Sequence, residues 1–167
     1  MPPTSPPGKR VTGVKSAPKV EPQSVAVELW AARLPGPFRF AEHCWLLIRR
    51  GDQCDRWEVW QAADVGGESW GHVHRNLMAP TAGIRNHPAY FLHRWCEHEA
   101  ARIAHRTEAA PDSYPWCGTY RYVPGPNSNT FVQWCLEDRY RLSWRSVGAG
   151  YARRMRKGGS KNGLVKK

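Results

Sequence analysis

The first patterned stretch of the chain alternates between apolar residues and small or charged ones. Val25, Val27 and Leu29 recur with a period of two, which is typical of a strand with one buried face. Residues 44–48 form a continuous apolar run, which predicts a strand buried on both faces. Residues 57–61 follow a polar turn and predict the hairpin partner of that strand. The first part of the chain is therefore predicted to form an antiparallel sheet.

The rest of the chain predicts a long loop, two helices and one further strand. Residues 62–88 show no sustained period and predict a long loop. Residues 89–107 predict one long helix, residues 119–123 a further strand, and residues 129–138 a short helix. The apolar face of the predicted long helix consists of Phe91, Leu92, Trp95, Cys96 and Ile103. Together these segments predict an α+β domain, a small antiparallel sheet packed on a long helix and a short one.

The positive charge of the chain is concentrated at its ends. The formal net charge is +11 over 167 residues, but residues 25–144 hold 13 arginines and 13 acidic residues. Residues 1–24 carry four basic residues and one acidic residue, and residues 145–167 carry eight basic residues and no acidic one. We therefore expect a disordered Pro/Lys-rich tail over residues 1–24, a single domain over 25–151 and a disordered basic tail over 152–167.

Cysteine usage and hydropathy indicate the compartment. The five cysteines form no Cys-x-x-Cys pair, and an odd number cannot all be paired within one chain, so a reducing environment is the simpler assumption. The chain shows neither the apolar segment of a secretory signal nor the ~20 apolar residues of a membrane helix. We expect a soluble, cytoplasmic protein without membrane contact. The spacing of His93, Cys96 and His98 matches no zinc pattern, so we expect no metal and no cofactor.

A hydroxyl group at the start of the predicted short helix is the main candidate for chemistry. Ser128 follows a Pro-Gly-Pro turn, and the unpaired backbone N–H groups of a helix start can hold a nucleophile, an anion or a developing oxyanion. The backbone N–H groups around Ser128 and Asn129, or the side-chain amide of Asn127, could bind an oxyanion or substrate. The alternative is structural, because Asn and Ser are also preferred helix caps.

A serine nucleophile needs a base, and the base needs an orienting group. His43 opens the predicted buried strand, where a rigid element could aim its ring. Glu58 on the predicted hairpin partner is the candidate orienting group, and Gln61 on the same strand is its substitute.

These motifs carry a resemblance to a known family. The unbroken segment Gly-Pro-Asn-Ser-Asn-Thr-Phe at residues 125–131 is its most specific part. Further matching pieces are His-Cys-Trp at residues 43–45, Trp-Glu-Val at 57–59 and Val-Gly-Ala-Gly-Tyr at 147–151. Over residues 25–151 the chain resembles a bacterial family of uncharacterised domains, a label that implies no particular activity.

The order of these residues is also similar to that of circularly permuted papain-like proteins, which include NlpC-type peptidases, lecithin retinol acyltransferase-like enzymes and PPPDE peptidases. This similarity implies a papain-like α+β fold, with His43 as base, Glu58 as the orienting group and Ser128 in the position of the nucleophilic cysteine. A serine hydroxyl is not ionised by a helix N-terminus, which contributes only ~0.3–1 kcal/mol. Catalysis would therefore require concerted proton removal by His43.

Three functional hypotheses remain open at this stage. The first is a hydrolase or acyltransferase that acts on an amide or ester bond of a small peptide, glycan or acyl substrate. The second is a non-catalytic module that binds a peptide or glycan in the same cleft. The third is weak binding of nucleic acid or an acidic partner through the basic tails.

Overall fold

The computed structural model describes residues 24–159, with side chains through residue 156. The strands are β1 (Val25–Arg33), β2 (Glu42–Arg50), β3 (Gln53–Val59), β4 (Glu68–Trp70), β5 (Val73–Arg75) and β6 (Ala89–Cys96). The helices are α1 (Glu97–Glu108), α2 (Ala110–Ser113), α3 (Ser128–Leu136) and α4 (Ala149–Gly159), and a 3-10 turn, Gly36–Phe38, lies between β1 and β2.

All six strands form one antiparallel sheet in the order β4-β5-β3-β2-β1-β6. The sheet with its helices confirms the predicted α+β class. The three strands predicted in the first part of the chain are confirmed as β1, β2 and β3, with β2 and β3 joined as a hairpin.

The two faces of the sheet are covered differently. On one face, Cys44, Leu46 and Ile48 of β2 pack in a large core with α1, α3 and α4. On the other, Trp45 and Leu47 pack under the connection between β3 and β6 in a smaller cluster. Because β2 is buried on both faces, its sequence is an apolar run rather than an alternating one.

The predicted helix over residues 89–107 is wrong in its first half. Residues 89–96 form β6, and α1 begins only at Glu97. The register between β6 and β1 shifts at Leu29 and Trp30, so that Leu92 is an extra residue between Phe91 and His93. This bulge breaks the period of two and places neighbouring apolar residues in a pattern that resembles a helical face.

Other segments also differ from the prediction. Residues 62–88 contain the short strands β4 and β5, whereas residues 119–123 form no strand. The short helix predicted over residues 129–138 is confirmed as α3. Residues 152–159 lie in α4, where the sequence predicts disorder, while residues 1–23 and 160–167 lie outside the described part of the chain. None of the described helices is long and apolar enough to cross a membrane.

Candidate functional site

The sheet brings the predicted base and its orienting group together. His43 on β2 and Glu58 on β3 lie on the face covered by the β3–β6 connection, and the His43 Nε2 is 2.8 Å from the Glu58 Oε2. Both side chains are buried. The ring of His43 also packs against Trp45 and Trp60, at centroid distances of 5.9 and 5.2 Å. The Nε2 of His43 is therefore occupied by the hydrogen bond with Glu58, and the Nδ1 is the ring nitrogen that could take part in proton transfer.

Arg56 completes this buried network. Its Nη2 donates to the Glu58 Oε2 at 2.8 Å, its Nε lies 2.8 Å from the Glu58 Oε1, and its guanidinium stacks 4.0 Å from the centroid of the Trp45 ring. Its Nη1 donates to the carbonyls of Ala79 and Ala82. The arginine thereby ties the β3–β6 connection to the face of the sheet that carries His43.

The ionisation of Glu58 reflects two opposing effects. Burial raises the pKa of its carboxyl group, but hydrogen bonding and charge from His43 and Arg56 outweigh burial and hold the pKa below its ordinary value of 4.5. Glu58 is therefore a carboxylate at neutral pH, the state that orients a histidine and stabilises its protonated form.

The cap of α3, a helix that packs on the opposite face of the sheet from His43, is Asn127 and not Ser128. The Asn127 Oδ1 accepts from the backbone N–H groups of Asn129 and Thr130, each at 3.1 Å, and the Asn127 N–H donates to the Thr130 Oγ1 at 3.1 Å. This is a capping box. The Asn127 Nδ2 donates to the carbonyls of Tyr122 and Val147.

Asn129 joins α3 to the strand segment that carries His43. Its Oδ1 accepts from the Cys44 N–H at 3.1 Å, and its Nδ2 donates to the Glu42 carbonyl at 2.8 Å and to the Val147 carbonyl at 3.0 Å. The paired register of β2 and β3 reaches only Leu46 and Trp57, so the Asn129 amide supplies bonds that a continued strand would have made.

The Asn129 backbone N–H and the Asn127 side-chain amide were predicted to hold an oxyanion or substrate, but the first donates to the Asn127 Oδ1 and the second to the carbonyls of Tyr122 and Val147. Gln61 was predicted as the substitute orienting group, but its exposed amide accepts from the Tyr122 hydroxyl and makes no hydrogen bond with His43. The Asn127 and Asn129 groups are therefore occupied within the protein, and no hydrogen bond places Gln61 as the group that orients His43.

Ser128 is the first residue of α3 and has 4% of its surface exposed. Among the described residues, neither its hydroxyl nor its backbone N–H has a hydrogen-bond partner, and no hydrogen bond joins it to His43. It therefore presents a free hydroxyl and a free N–H at the helix N-terminus.

Sequence reasoning missed Arg56 and a second buried carboxylate, Glu42. The period of two that places Arg56 and Glu58 on one face of β3 was an available signal for Arg56. Glu42 accepts from the hydroxyls of Tyr90, Ser143 and Ser146 at 2.6, 2.7 and 2.5 Å. These donors come from distant segments, so no local pattern indicates them.

The described residues contain no group of three or more His, Cys, Asp and Glu side chains placed to hold a metal ion. Two surface depressions of about 390 and 370 Å³ lie elsewhere, against α1 and residues 137–139, and neither is lined by Ser128 or His43.

The fold and the site define an α+β domain with a buried His-Glu-Arg network on one face of its sheet and a helix with a capped N-terminus packed on the other. The model of a family described as proteins of unknown function, DUF3750, matches residues 24–151, and the chain belongs to this family. No curated protein and no solved structure matches the chain.

Proposed function

We propose that this protein is a papain-like hydrolase or acyltransferase that acts on an amide or ester bond. Ser128 is the nucleophile, His43 the base and Glu58 the group that orients the base. The buried hydrogen bond between His43 and Glu58 carries the proposal, because it leaves the Nδ1 as the proton acceptor.

The free-energy cost of burying the His43–Glu58–Arg56 network supports a functional role for it. Removing charged groups from water costs several kcal/mol per ion, and apolar residues of similar volume often serve stability as well or better. A His, a carboxylate and a guanidinium held together on one face of the sheet are the elements of a base with a fixed orientation and a stabilised charged form.

The start of α3 provides the other half of the chemistry. The Ser128 hydroxyl is free to attack, and the Ser128 N–H is free to donate to the oxygen that becomes negative. Asn129 connects this turn to both peptide groups beside His43. Of the backbone groups predicted from the sequence for the oxyanion role, the Ser128 N–H is the one that would fill it.

The proposed reaction proceeds in two transfers. The Ser128 Oγ attacks the substrate carbonyl carbon while the His43 Nδ1 takes its proton, and the oxyanion accepts a hydrogen bond from the Ser128 N–H. The tetrahedral intermediate collapses to an ester on Ser128 as protonated His43 gives its proton to the leaving amine or alcohol. Water, or an acceptor alcohol or amine, then releases the acyl group with His43 again acting as base.

Substrate binding would have to open the site. His43 faces the β3–β6 connection whereas α3 packs on the opposite face of the sheet, and Ser128 and His43 are each 4% exposed. Their side chains would have to be brought within hydrogen-bond reach for proton transfer. The lack of a hydrogen bond between them in this structure favours the second candidate, a non-catalytic module that binds a peptide or glycan.

Labelling with a fluorophosphonate distinguishes the two candidates. We expect mass spectrometry to find the label on Ser128 of the folded protein, and no label in Ser128→Ala. His43→Gln should slow labelling by roughly 10²-fold or more, as expected for loss of a general base. Ser113→Ala, which changes a serine of α2 away from the site, should label like the wild type.

A folded protein that stays unlabelled would overturn the catalytic proposal and leave the binding module. Circular dichroism of each variant is needed alongside, because His43 is part of a buried network and its substitution can affect folding.

A further inference from the structure

Charges are unequally distributed between the interior and the surface of the formally neutral segment 25–144. Four of its thirteen acidic side chains are buried, but only one of its thirteen arginines, Arg56, is buried. The buried acidic residues are Glu28, Glu42, Asp55 and Glu58. Nine acidic side chains and twelve arginines therefore remain for the surface, which is basic although the composition of the segment is balanced.

Several of these surface arginines lie together on one side of the molecule. The depression of about 390 Å³ lies between α1 and the turn after α3, and the depression of about 370 Å³ extends it to α4. The two are contiguous because Glu137 and Arg139 line both. Their basic side chains, here called the basic strip, are His98, Arg102, His105, Arg106, Arg139 and Arg156.

The two acidic residues that line the strip are each paired with arginines of the strip. Glu137 contacts Arg139 and Arg106, at 2.5 and 3.3 Å, and the hydrogen bond from Arg139 is the main reason that its pKa is lowered. Asp138 lies 3.4 Å from Arg156, but its side chain is 83% exposed, so this ion pair is weak and Arg156 can exchange it for a phosphate. Glu97 and Glu99 occupy the first turn of α1, at the His98 end.

The other basic groups of the strip are free to bind an anion. Within the described part of the chain, His98, Arg102 and His105 make no side-chain ion pair or hydrogen bond. They lie four and three residues apart, on one face of α1, in a row about 10 Å long at 1.5 Å per residue. A DNA strand presents a phosphate every ~3.4 Å along the axis, so a row of this length can meet more than one phosphate.

The lining of the strip indicates which polyanion fits. Its one apolar residue is Ala101, whereas protein interfaces need an apolar or aromatic core and membrane-binding helices bury an apolar face. Single-stranded nucleic acids are held chiefly by stacking on large aromatic side chains, and no Phe, Tyr or Trp lines the strip, whose rings are those of His98 and His105. Arginines that contact phosphate oxygens need neither feature.

We propose that the basic strip binds the phosphodiester backbone of a nucleic-acid duplex without reading its bases. The strip belongs to the folded domain and is separate from the Ser128 site. The sequence continues its charge beyond α4 with Lys161, Lys166 and Lys167.

The test compares two double variants of the full chain that remove the same charge. Arg102→Gln with Arg156→Gln removes two exposed arginines of the strip, and Arg39→Gln with Arg85→Gln removes two exposed arginines on other elements. Both keep the terminal segments. Binding is measured by fluorescence anisotropy with a labelled DNA duplex of about 20 base pairs, between about 50 and 200 mM salt.

We expect the strip variant to bind roughly tenfold more weakly at ~0.1 M salt, with a plot of log K against log salt shallower by ~1.8 for two lost phosphate contacts. The control variant should stay within about twofold of the wild type. Equal losses of duplex affinity in both variants would overturn the proposal, because binding would then depend on the terminal segments or on net charge rather than on the strip. It would also be overturned if the full chain bound phosphatidylserine vesicles but no duplex, or bound neither probe.

Discussion

The side-chain amide of Asn129 holds the peptide groups on both sides of His43. It accepts from the Cys44 N–H at 3.1 Å and donates to the Glu42 carbonyl at 2.8 Å. The first turn of α3 is thereby fixed to the part of β2 that has no partner on β3. One buried amide thus sets the position of the candidate nucleophile's helix relative to the candidate base.

Replacing Asn129 by alanine should destabilise the fold and detach the helix start from β2. The change leaves the Cys44 N–H and the Glu42 carbonyl without partners, and each unsatisfied buried group costs ~1–3 kcal/mol. We expect the free energy of unfolding, measured in urea, to fall by about 3 kcal/mol. Asn86→Ala, at an exposed position, should change it by less than about 0.5 kcal/mol; similar values for both variants would show that the Asn129 bridge has no energetic role.

The cap assignment makes opposite predictions for two neighbouring residues. Asn127→Ala removes the capping oxygen and two side-chain donor bonds, so we expect a loss of about 2 kcal/mol in the free energy of unfolding. Ser128→Ala removes a hydroxyl without a partner among the described residues and should cost less than about 0.5 kcal/mol. Chemical denaturation of the two variants measures this difference, and a larger cost for Ser128→Ala would restore Ser128 as the cap.

Gly148→Ala should be strongly destabilising. Gly148 has φ +93°, and an added Cβ would lie 2.2 Å from the Asn127 Nδ2, so the methyl group would strain the backbone and displace the cap. We expect a loss of roughly 2–4 kcal/mol from strain and overpacking together. Thermal denaturation should show a clear fall in Tm.

Gly118→Ala is the matched control for that substitution. A Cβ at Gly118 would meet no atom within 4 Å, and its φ is not in the left-handed region. We expect a change below about 1 kcal/mol. Comparable destabilisation by the two alanines would contradict a specific contact between Gly148 and the cap.

Acid should destabilise the protein partly through Glu42. Burial raises the pKa of the Glu42 carboxyl group. Hydrogen bonds from Ser146, Tyr90 and Ser143, together with the charge of Arg33, lower the pKa by more than burial raises it, so it lies below 4.5 in the folded protein. A lowered pKa contributes stability that is present above the unfolded value and is lost as the pH falls through the folded one. The free energy of unfolding should therefore decline between about pH 5 and pH 3.

Glu42→Gln isolates this contribution. At neutral pH the variant should be less stable by about 2 kcal/mol, because bonds to a charged acceptor are lost, and its decline below pH 5 should be shallower. Glu58 and Glu137, whose pKa values are also lowered, retain their part of the slope. Asp52→Asn, in the exposed turn before β3, is the control, and an unchanged slope in Glu42→Gln would refute the assignment.

The pattern of apolar and polar residues predicted a strand correctly where a single pattern ran through the whole strand. The alternation at Val25–Leu29 predicted β1, and the continuous apolar run at residues 44–48 predicted a strand buried on both faces. The same pattern predicted a helix in place of β6, because the bulge at Leu92 gives the apolar residues a helix-like spacing. It predicted a loop in place of β4 and β5, because strands of three residues are too short to show a period.

The same division applies to the site. Residue chemistry and strand order predicted His43, Glu58 and Ser128 as one set, and the hairpin of β2 and β3 does bring His43 and Glu58 into contact. Among the described residues, no hydrogen bond joins Ser128 to this pair, so its role stays a prediction. The choice between Asn127 and Ser128 as cap required the backbone conformation at the helix start, which neighbouring polar residues do not distinguish.

By itself, the sequence determined the α+β class, the main strands, the short motif helix and the residue types available for chemistry, since these depend on local periodicity and composition. Tertiary structure alone decided that His43 meets Glu58, that Asn129 bridges to β2, that Ser143 donates to Glu42, and that the arginines of α1 and α4 form one surface. The first three contacts depend on strand register and helix packing, which join residues 15 to 101 positions apart that no local pattern connects.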